Sequence, residues 1–437
     1  MARIIRNTLR WVCAVLLCGL LCGCAGWLDL GSEQDSKTAS EPESPQKDEP
    51  AENTAQESSW YEGLFSWDDD DEGPGWFDRI FGSVGPRDKP AVLEPFEPSL
   101  AVAVLWHGEI GEPDRYLFNP AVDGDSVYAI GYDGDIARLN AEDGKQIWRI
   151  ETDKPLSGGV GAGENMLAVG TPEGQVLAFG ADGKALWEAR LSSEVLGAPS
   201  VADATVVVRT ADNRIHALDA LDGRRRWTYE RPVPALTLRS TPGALVAHGA
   251  VFAGFPAGKL VALDLGSGAL GWEATIAQAQ GATELERIVD ITSQPYADSR
   301  AVYTVAYSGR LACVDLSNGN LVWARQLSSV SGLVGDARNV YVTDVKSVLH
   351  AFEKSSGASV WKQDKLFARR VSTPQVFGRY VVVGDYQGYV HFISRDDGSF
   401  VARVATDGSS IAARPALLDN GVVVQTKNGG VFAIVTQ

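Results

Sequence analysis

A chain of 437 residues with a formal charge of −17 carries no basic stripe to neutralise phosphates, which excludes nucleic acid as a partner and disfavours electrostatic docking on anionic lipid. The charge is uneven: residues 1–24 hold +3, residues 25–100 hold nineteen Asp and Glu against five Lys and Arg for −14, and residues 101–437 hold −6. Four of the five cysteines fall within the first 24 residues, so a disulfide-stapled fold is excluded as well.

In chain order, residues 1–23 read as a secretory signal. Arg3, Arg6 and Arg10 give the cationic start, and the apolar run from Trp11 to Leu21 is too short to span a bilayer. The signal ends in Leu21-Cys22-Gly23-Cys24, which resembles the bacterial lipobox. That resemblance implies a mature chain beginning at a lipid-modified Cys24, anchored through several acyl chains worth about 0.8 kcal/mol per buried methylene. Ala25 follows where an Asp would signal inner-membrane retention, so the resemblance implies the periplasmic face of the outer membrane. Cys313 alone remains, in a slot where other repeats carry Ala217, Ala262 and Ala351, and reads as a small buried core residue rather than a nucleophile.

Residues 24–100 read as an acidic, disordered tether, rich in Glu, Asp, Ser, Pro and Gly. Two aromatic motifs interrupt it, Trp60-Tyr61-Glu62-Gly63-Leu64-Phe65 and Trp76-Phe77-Asp78-Arg79-Ile80-Phe81, either side of the acidic run Asp68–Glu72. They are either recognition elements that order on binding or segments that pack weakly on the domain or the bilayer interface.

Residues 101–437 are a repeat. Gly144 to Trp148, Gly183 to Trp187, Gly223 to Trp227, Gly268 to Trp272, Gly319 to Trp323 and Gly357 to Trp361 restate one hairpin, and Gly398 begins it again with Ala402 in the tryptophan slot. A proline opens most units, a β-branched strand follows, and a polar turn leads to the next strand, as in Val206–Val208 and Ile215–Leu218. Four strands in about forty residues, without helical periodicity, describe a propeller blade. The last unit, Arg414–Gln437, lacks a Trp strand, and Val102–Ile110, with Trp106, is a Trp strand lacking a blade. The expected fold is therefore all-β, an eight-bladed β-propeller of four-stranded blades closed by the N-terminal Trp strand pairing with the C-terminal blade. The tryptophans would wedge between neighbouring blades.

Function in such a ring is expected where the repeat is interrupted. The links from Trp227 to Pro242 and from Trp272 to Pro295 span 15 and 23 positions, against 10 to 14 elsewhere. Being consecutive, they should adjoin on one face. The first carries Leu236, Leu238 and Arg239, the second Thr283-Glu284-Leu285-Glu286-Arg287-Ile288-Val289-Asp290 with room for one or two helical turns. Two readings stand: exposed leucines beside an arginine as a binding hot spot, or apolar residues that merely pack the enlarged loops.

The Ala-x-Asp…Gly-x-x-x-Trp sentence resembles the quinoprotein repeat, shared by quinone-dependent alcohol dehydrogenases and by the BamB family of outer-membrane assembly lipoproteins. The dehydrogenases typically carry a vicinal cysteine pair beside the cofactor, which this chain lacks. Ala235–Ser240 resembles the BamB family's Leu-Thr-Leu-Arg loop, and Thr283–Asp290 its Thr-Glu-aliphatic-acid-Arg…Asp segment. The resemblance implies a non-enzymatic scaffold of the β-barrel assembly complex. Its contacts to the partner BamA would lie on Leu236, Leu238, Arg239, Glu284, Arg287 and Asp290, and blade edges could assist nascent outer-membrane proteins by β-augmentation. A second family aspartate falls on Thr292. The alternatives are a PQQ-dependent periplasmic oxidoreductase, which needs calcium and the quinone, and a propeller binding another periplasmic protein or a glycan.

No catalytic residue, cofactor or metal site is expected. His216, His350 and His391 each precede a Trp slot by eleven positions and read as satisfied strand residues on separate blades. The Asp-Gly pairs read as hairpin turns, and Gly158–Gly163 lacks the helix and the Lys-Ser/Thr of a phosphate loop.

Overall fold

A computed structural model describes residues 88–437 apart from Val233, Ala235, Arg239 and Thr241. The signal, Cys24, both aromatic motifs and Arg239 lie outside the described residues. Within them, thirty-two strands form eight four-stranded antiparallel sheets, the blades of an all-β propeller, and no helix is present among the described residues.

The third blade shows why this sequence builds blades. Its strands are Ser200–Ala202, Thr205–Arg209, Ile215–Asp219 and Arg225–Tyr229, from the channel outward. Val206, Val207 and Val208 in the second strand are each at most 1% exposed. Neighbouring blades cover both faces of the sheet, so the strand reads as a continuous β-branched run instead of alternating. The outermost strand meets solvent on one side, and Arg225, Arg226 and Thr228 point out. A register shift at Ala217/Leu218, repeated at the matching place in the other blades, is a β-bulge that bends the outer strand and sharpens its twist.

Each tryptophan leans onto the next blade. Trp187 donates its indole N–H to the Ala220 carbonyl at 2.8 Å, and its ring covers Gly223. A Cβ on Gly223 would lie 2.5 Å from Trp187 Cε3, and φ there is +70°. Glycine is thus required twice over, by the turn and by the ring above it. The indole bond repeats at seven joints, from Trp106 to the Ala141 carbonyl through Trp361 to the Arg395 carbonyl.

The ring closes as expected. Val102–Glu109 pairs antiparallel with Gly430–Thr436, Trp106 facing Ala433, and Trp106 then caps Gly144 of the first blade. The seventh blade cannot repeat the wedge, because the eighth pairs its third and outermost strands, Gly430–Thr436 and Val102–Glu109, without the hairpin that joins them in the other blades. Ala402 is buried there in a cluster covered by Leu100, Val102 and Val104.

The tether was expected to run to residue 100, and the structure moves that boundary. Residues 88–100 lie as a strap on blades six and seven. Ala91 N–H donates to the Phe367 carbonyl at 2.9 Å, Arg369 Nη1 to the Ala91 carbonyl at 3.0 Å, and Lys365 pairs with Glu94 at 2.8 Å. Phe96 stacks on Phe400 at 5.7 Å under the Arg403 guanidinium. Composition hid this, since Leu93 and Phe96 are few among Pro and Glu, yet both find apolar cover.

Candidate docking face

Strand direction alternates through a blade, so every link from an outer strand to the next inner strand emerges at one end of the ring. The turns between second and third strands share that end. Both long links therefore belong to one face, and they pack together. Leu238, Ile288 and Tyr307 form a buried cluster against which Leu236, Leu285, Val330 and Val345 are partly buried.

Leu238 is not the exposed hot-spot residue that its alternation with polar neighbours suggested. It is 6% exposed, while Leu236 is half-buried at the rim. The cause is Asp290. One carboxylate oxygen accepts the Leu238 N–H at 2.7 Å and the other the Ala257 N–H at 3.1 Å, while the Asp290 carbonyl accepts the Tyr307 N–H at 2.8 Å. Asp290 thus ties three segments and is itself buried, so it braces the face from beneath. Burial holds its carboxyl above the ordinary value, opposed by the two N–H donors and by the Arg209 charge. Arg209 is buried too, its pKa lowered by desolvation to about 10 against the pull of Asp290. It lies 4.7 Å over the Phe255 ring and donates to Asn213 Oδ1 at 2.7 Å. Neither Arg209 nor Tyr307 carried a sequence signal, because each sits in an ordinary strand or turn slot.

A second stitch joins the loops at their roots, Ser240 Oγ donating to the Thr292 carbonyl at 3.0 Å. Thr292 is buried and its hydroxyl has no hydrogen-bond partner, so no acidic side chain stands at the position where the resemblance expected one.

The segment Thr283–Asp290 forms turns rather than the helix considered for it. The Glu286 carboxylate accepts the Ala282 and Thr283 N–H groups at 2.7 and 3.1 Å, and the Thr283 hydroxyl accepts the Glu286 N–H at 3.2 Å. This reciprocal capping fixes the entry and turns Leu285 and Ile288 inward. Glu284 and Arg287 point out, paired at 3.1 Å with side chains 76% and 50% exposed. The outward groups of the patch are thus Glu284, Arg287 and the rim of Leu236 and Leu285.

The same end holds a cavity of about 680 Å³ at the mouth of the channel, walled in part by Ser240, Pro242, Thr292 and Gln294 from the loop roots. Among the described residues no group of three His, Cys, Asp or Glu side chains could hold a metal ion. His216, His350 and His391 each meet a nearby polar side chain. His216 meets the hydroxyls of Ser192 at 3.2 Å and Thr228 at 3.1 Å, and burial lowers its pKa to about 4. His350 meets Asp344 at 3.0 Å. His391 meets Asp385 at 2.9 Å. Burial pushes the Asp385 carboxyl up, but the His391 bond and charge and the Arg369 charge outweigh it and hold it low.

A family model described as outer membrane protein assembly factor BamB matches residues 132–363. The protein of that name from Nitrosomonas eutropha is 42% identical over 346 residues, covering 79% of this chain and 83% of its own length. That from Bordetella pertussis is 41% identical over 356 residues, covering 81% and 92%. The crystal structure of BamB from Moraxella catarrhalis superposes with a TM-score of 0.71 at 25% identity, over 77% of this chain and all of that one.

Proposed function

This chain belongs to the BamB family of outer membrane protein assembly factors, and on that premise we propose that it is a non-enzymatic scaffold of the β-barrel assembly complex, acting at the periplasmic side of the outer membrane. It docks the periplasmic domains of BamA and holds them so that barrel proteins are assembled and inserted. The observation that carries this reading is the loop pair: two consecutive enlarged links, locked by one buried carboxylate, that present a small rim of apolar and charged groups. Loop segments already tied down at Leu238 and Ser240 lose less freedom on binding, so contacts at the rim convert to affinity. In this division Leu236, Glu284 and Arg287 touch the partner, together with Arg239, while Leu238 and Asp290 fix their geometry from below. Cys24 supplies the lipid anchor, and the acidic tether sets the reach.

The test is capture of BamA's periplasmic domains by the full chain. Leu236→Glu and Arg239→Ala are each expected to lower capture at least tenfold, with the thermal midpoint unchanged. Wild-type capture by both variants overturns the assignment of the face. Saturable binding of a quinone with calcium, coupled to alcohol oxidation, would replace the scaffold reading with an oxidoreductase.

A further inference from the structure

The channel mouth is built as a ring, and one member of the ring is out of pattern. Each blade places a residue two positions ahead of the inner-strand residue that pairs with the middle of its second strand. Ser200 pairs in this way with Val207 in the third blade, and Ala416 with Val423 in the eighth. The same register in the other blades makes eight equivalent positions. Gly159, Ala198, Gly243 and Gly332 hold four of them, and Asn119, Gln294 and Thr373 hold three more. Arg414 is the eighth and the only charge. All but Gly159 line the cavity of about 680 Å³. Neighbours meet around the ring: the Arg414 N–H donates to Asn119 Oδ1 at 2.8 Å, and a Cβ on Gly159 would lie 3.5 Å from Ala198 Cβ.

Arg414 is held in place without being neutralised. Its Nε donates to Gln375 Oε1 at 2.6 Å, while its two terminal nitrogens bond no described residue. Withdrawal from bulk water lowers its pKa, and no carboxylate among the described residues opposes that shift. In a ring of eight the fourth blade stands opposite the eighth, and the residue there is Gly243. A Cβ on Gly243 would sit 2.7 Å from the Ala198 carbonyl oxygen, so packing against the third blade keeps that position bare. With Gly159 and Ala198, three consecutive blades facing Arg414 carry nothing longer than a methyl group. Leu117, Leu196, Pro199 and Pro242 add an apolar wall. The space before the guanidinium is therefore open, partly apolar and of the size of small-ligand sites.

We propose that the channel mouth binds a small monocarboxylate, its carboxyl group on the terminal nitrogens of Arg414 and its apolar body across the bare crescent of Gly159, Ala198 and Gly243. The planar guanidinium matches a carboxylate through parallel N–H···O bonds. A single negative charge suits the site, because Arg414 is the only cation of the ring. Arg115 and Lys427 also line the cavity, but both already have interactions of their own. Glu112 and Asp114 on the same wall repel a second negative charge, so a dianion such as phosphate is disfavoured. Burial of the apolar body against the leucines and prolines supplies further affinity. Leu236, Glu284 and Arg287 do not line the cavity, which makes this site distinct from the docking rim.

The experiment titrates hexanoate, hexanamide and inorganic phosphate into the full chain and follows binding by ligand-observed NMR. Hexanoate is expected to bind saturably, with hexanamide and phosphate each at least tenfold weaker. Arg414→Gln should lower hexanoate affinity at least tenfold, while Arg414→Lys, which keeps the charge but loses the fork, should retain part of it. Ala198→Leu, which fills the crescent and leaves the guanidinium in place, should also weaken hexanoate. Thermal midpoints of the three variants check that each is folded. No saturable binding of hexanoate, or hexanamide binding equally well, overturns the proposal. So does wild-type affinity for hexanoate in both Arg414 variants. Phosphate binding more tightly than hexanoate overturns the monocarboxylate assignment, and full affinity in Ala198→Leu overturns the placement of the apolar body.

Discussion

The blade joints and the docking loops are held by opposite means. A joint uses a large ring laid on a glycine and one indole N–H bond, repeated seven times around the circle. The loop pair uses one buried carboxylate that reaches two backbone N–H groups on separate segments, once. The joint is cohesive and tolerant, since apolar contact is non-directional. The brace is directional, and the charge it buries has value only if every partner is present. Stability and docking should therefore be separable by mutation.

Trp106→Ala is the largest expected effect and the cleanest separation. The side chain is 7% exposed, closes the ring, and stands half a circle from the docking loops. Its loss should cost about 3–5 kcal/mol, read as a fall in the denaturation midpoint, while the fraction still folded captures BamA normally. Loss of capture in that folded fraction would show the joints and loops to be coupled. Next comes the pH response of a regular blade, away from the docking loops. His216 takes its proton near 6.5 when unfolded but only near 4 when folded. Between those values the unfolded state binds more protons, so stability falls as the pH drops through the window, by up to about 3 kcal/mol. His216→Gln should flatten that slope in denaturation midpoints taken from pH 7 to pH 4. Asp290 has the other sign. Its raised folded pKa means that its ionisation costs the fold as the pH rises through that value, and acid relieves the cost.

Asp290→Ala tests the brace itself. Two buried N–H groups lose their acceptor, and Arg209 loses the charge beside it. The expected cost is about 1–3 kcal/mol, less than at Trp106, but capture of BamA should fall at least tenfold because Leu236 loses its footing. Asp290→Asn keeps an acceptor oxygen and should recover part of the binding. Full capture by Asp290→Ala would reduce the brace to packing.

The architecture was legible because its signals are local. Gly223 and Trp227 lie four residues apart, and the same spacing recurs because seven of the eight joints lay a tryptophan ring on a glycine. The long links were legible as departures from a period. Burial was not, because it depends on contacts distant in sequence: Leu238 and Asp290 are 52 positions apart. An alternating Leu-Thr-Leu looks exposed until the carboxylate that draws it inward is located.

Charge reversal at the rim sharpens the comparison from its weakest side. Glu284 and Arg287 form an exposed pair, of a kind worth well under about 1 kcal/mol. Glu284→Lys should thus leave the thermal midpoint within error. The turn survives the change, because the capping carboxylate belongs to Glu286 and the apolar anchors are Leu285 and Ile288. If the rim is the docking surface, the variant should slow association with BamA by several-fold at low salt, with the difference shrinking as salt rises. An association rate equal to wild type at every ionic strength would move the electrostatic contact away from the second loop and leave Leu236 and Arg239 on the first to carry the binding.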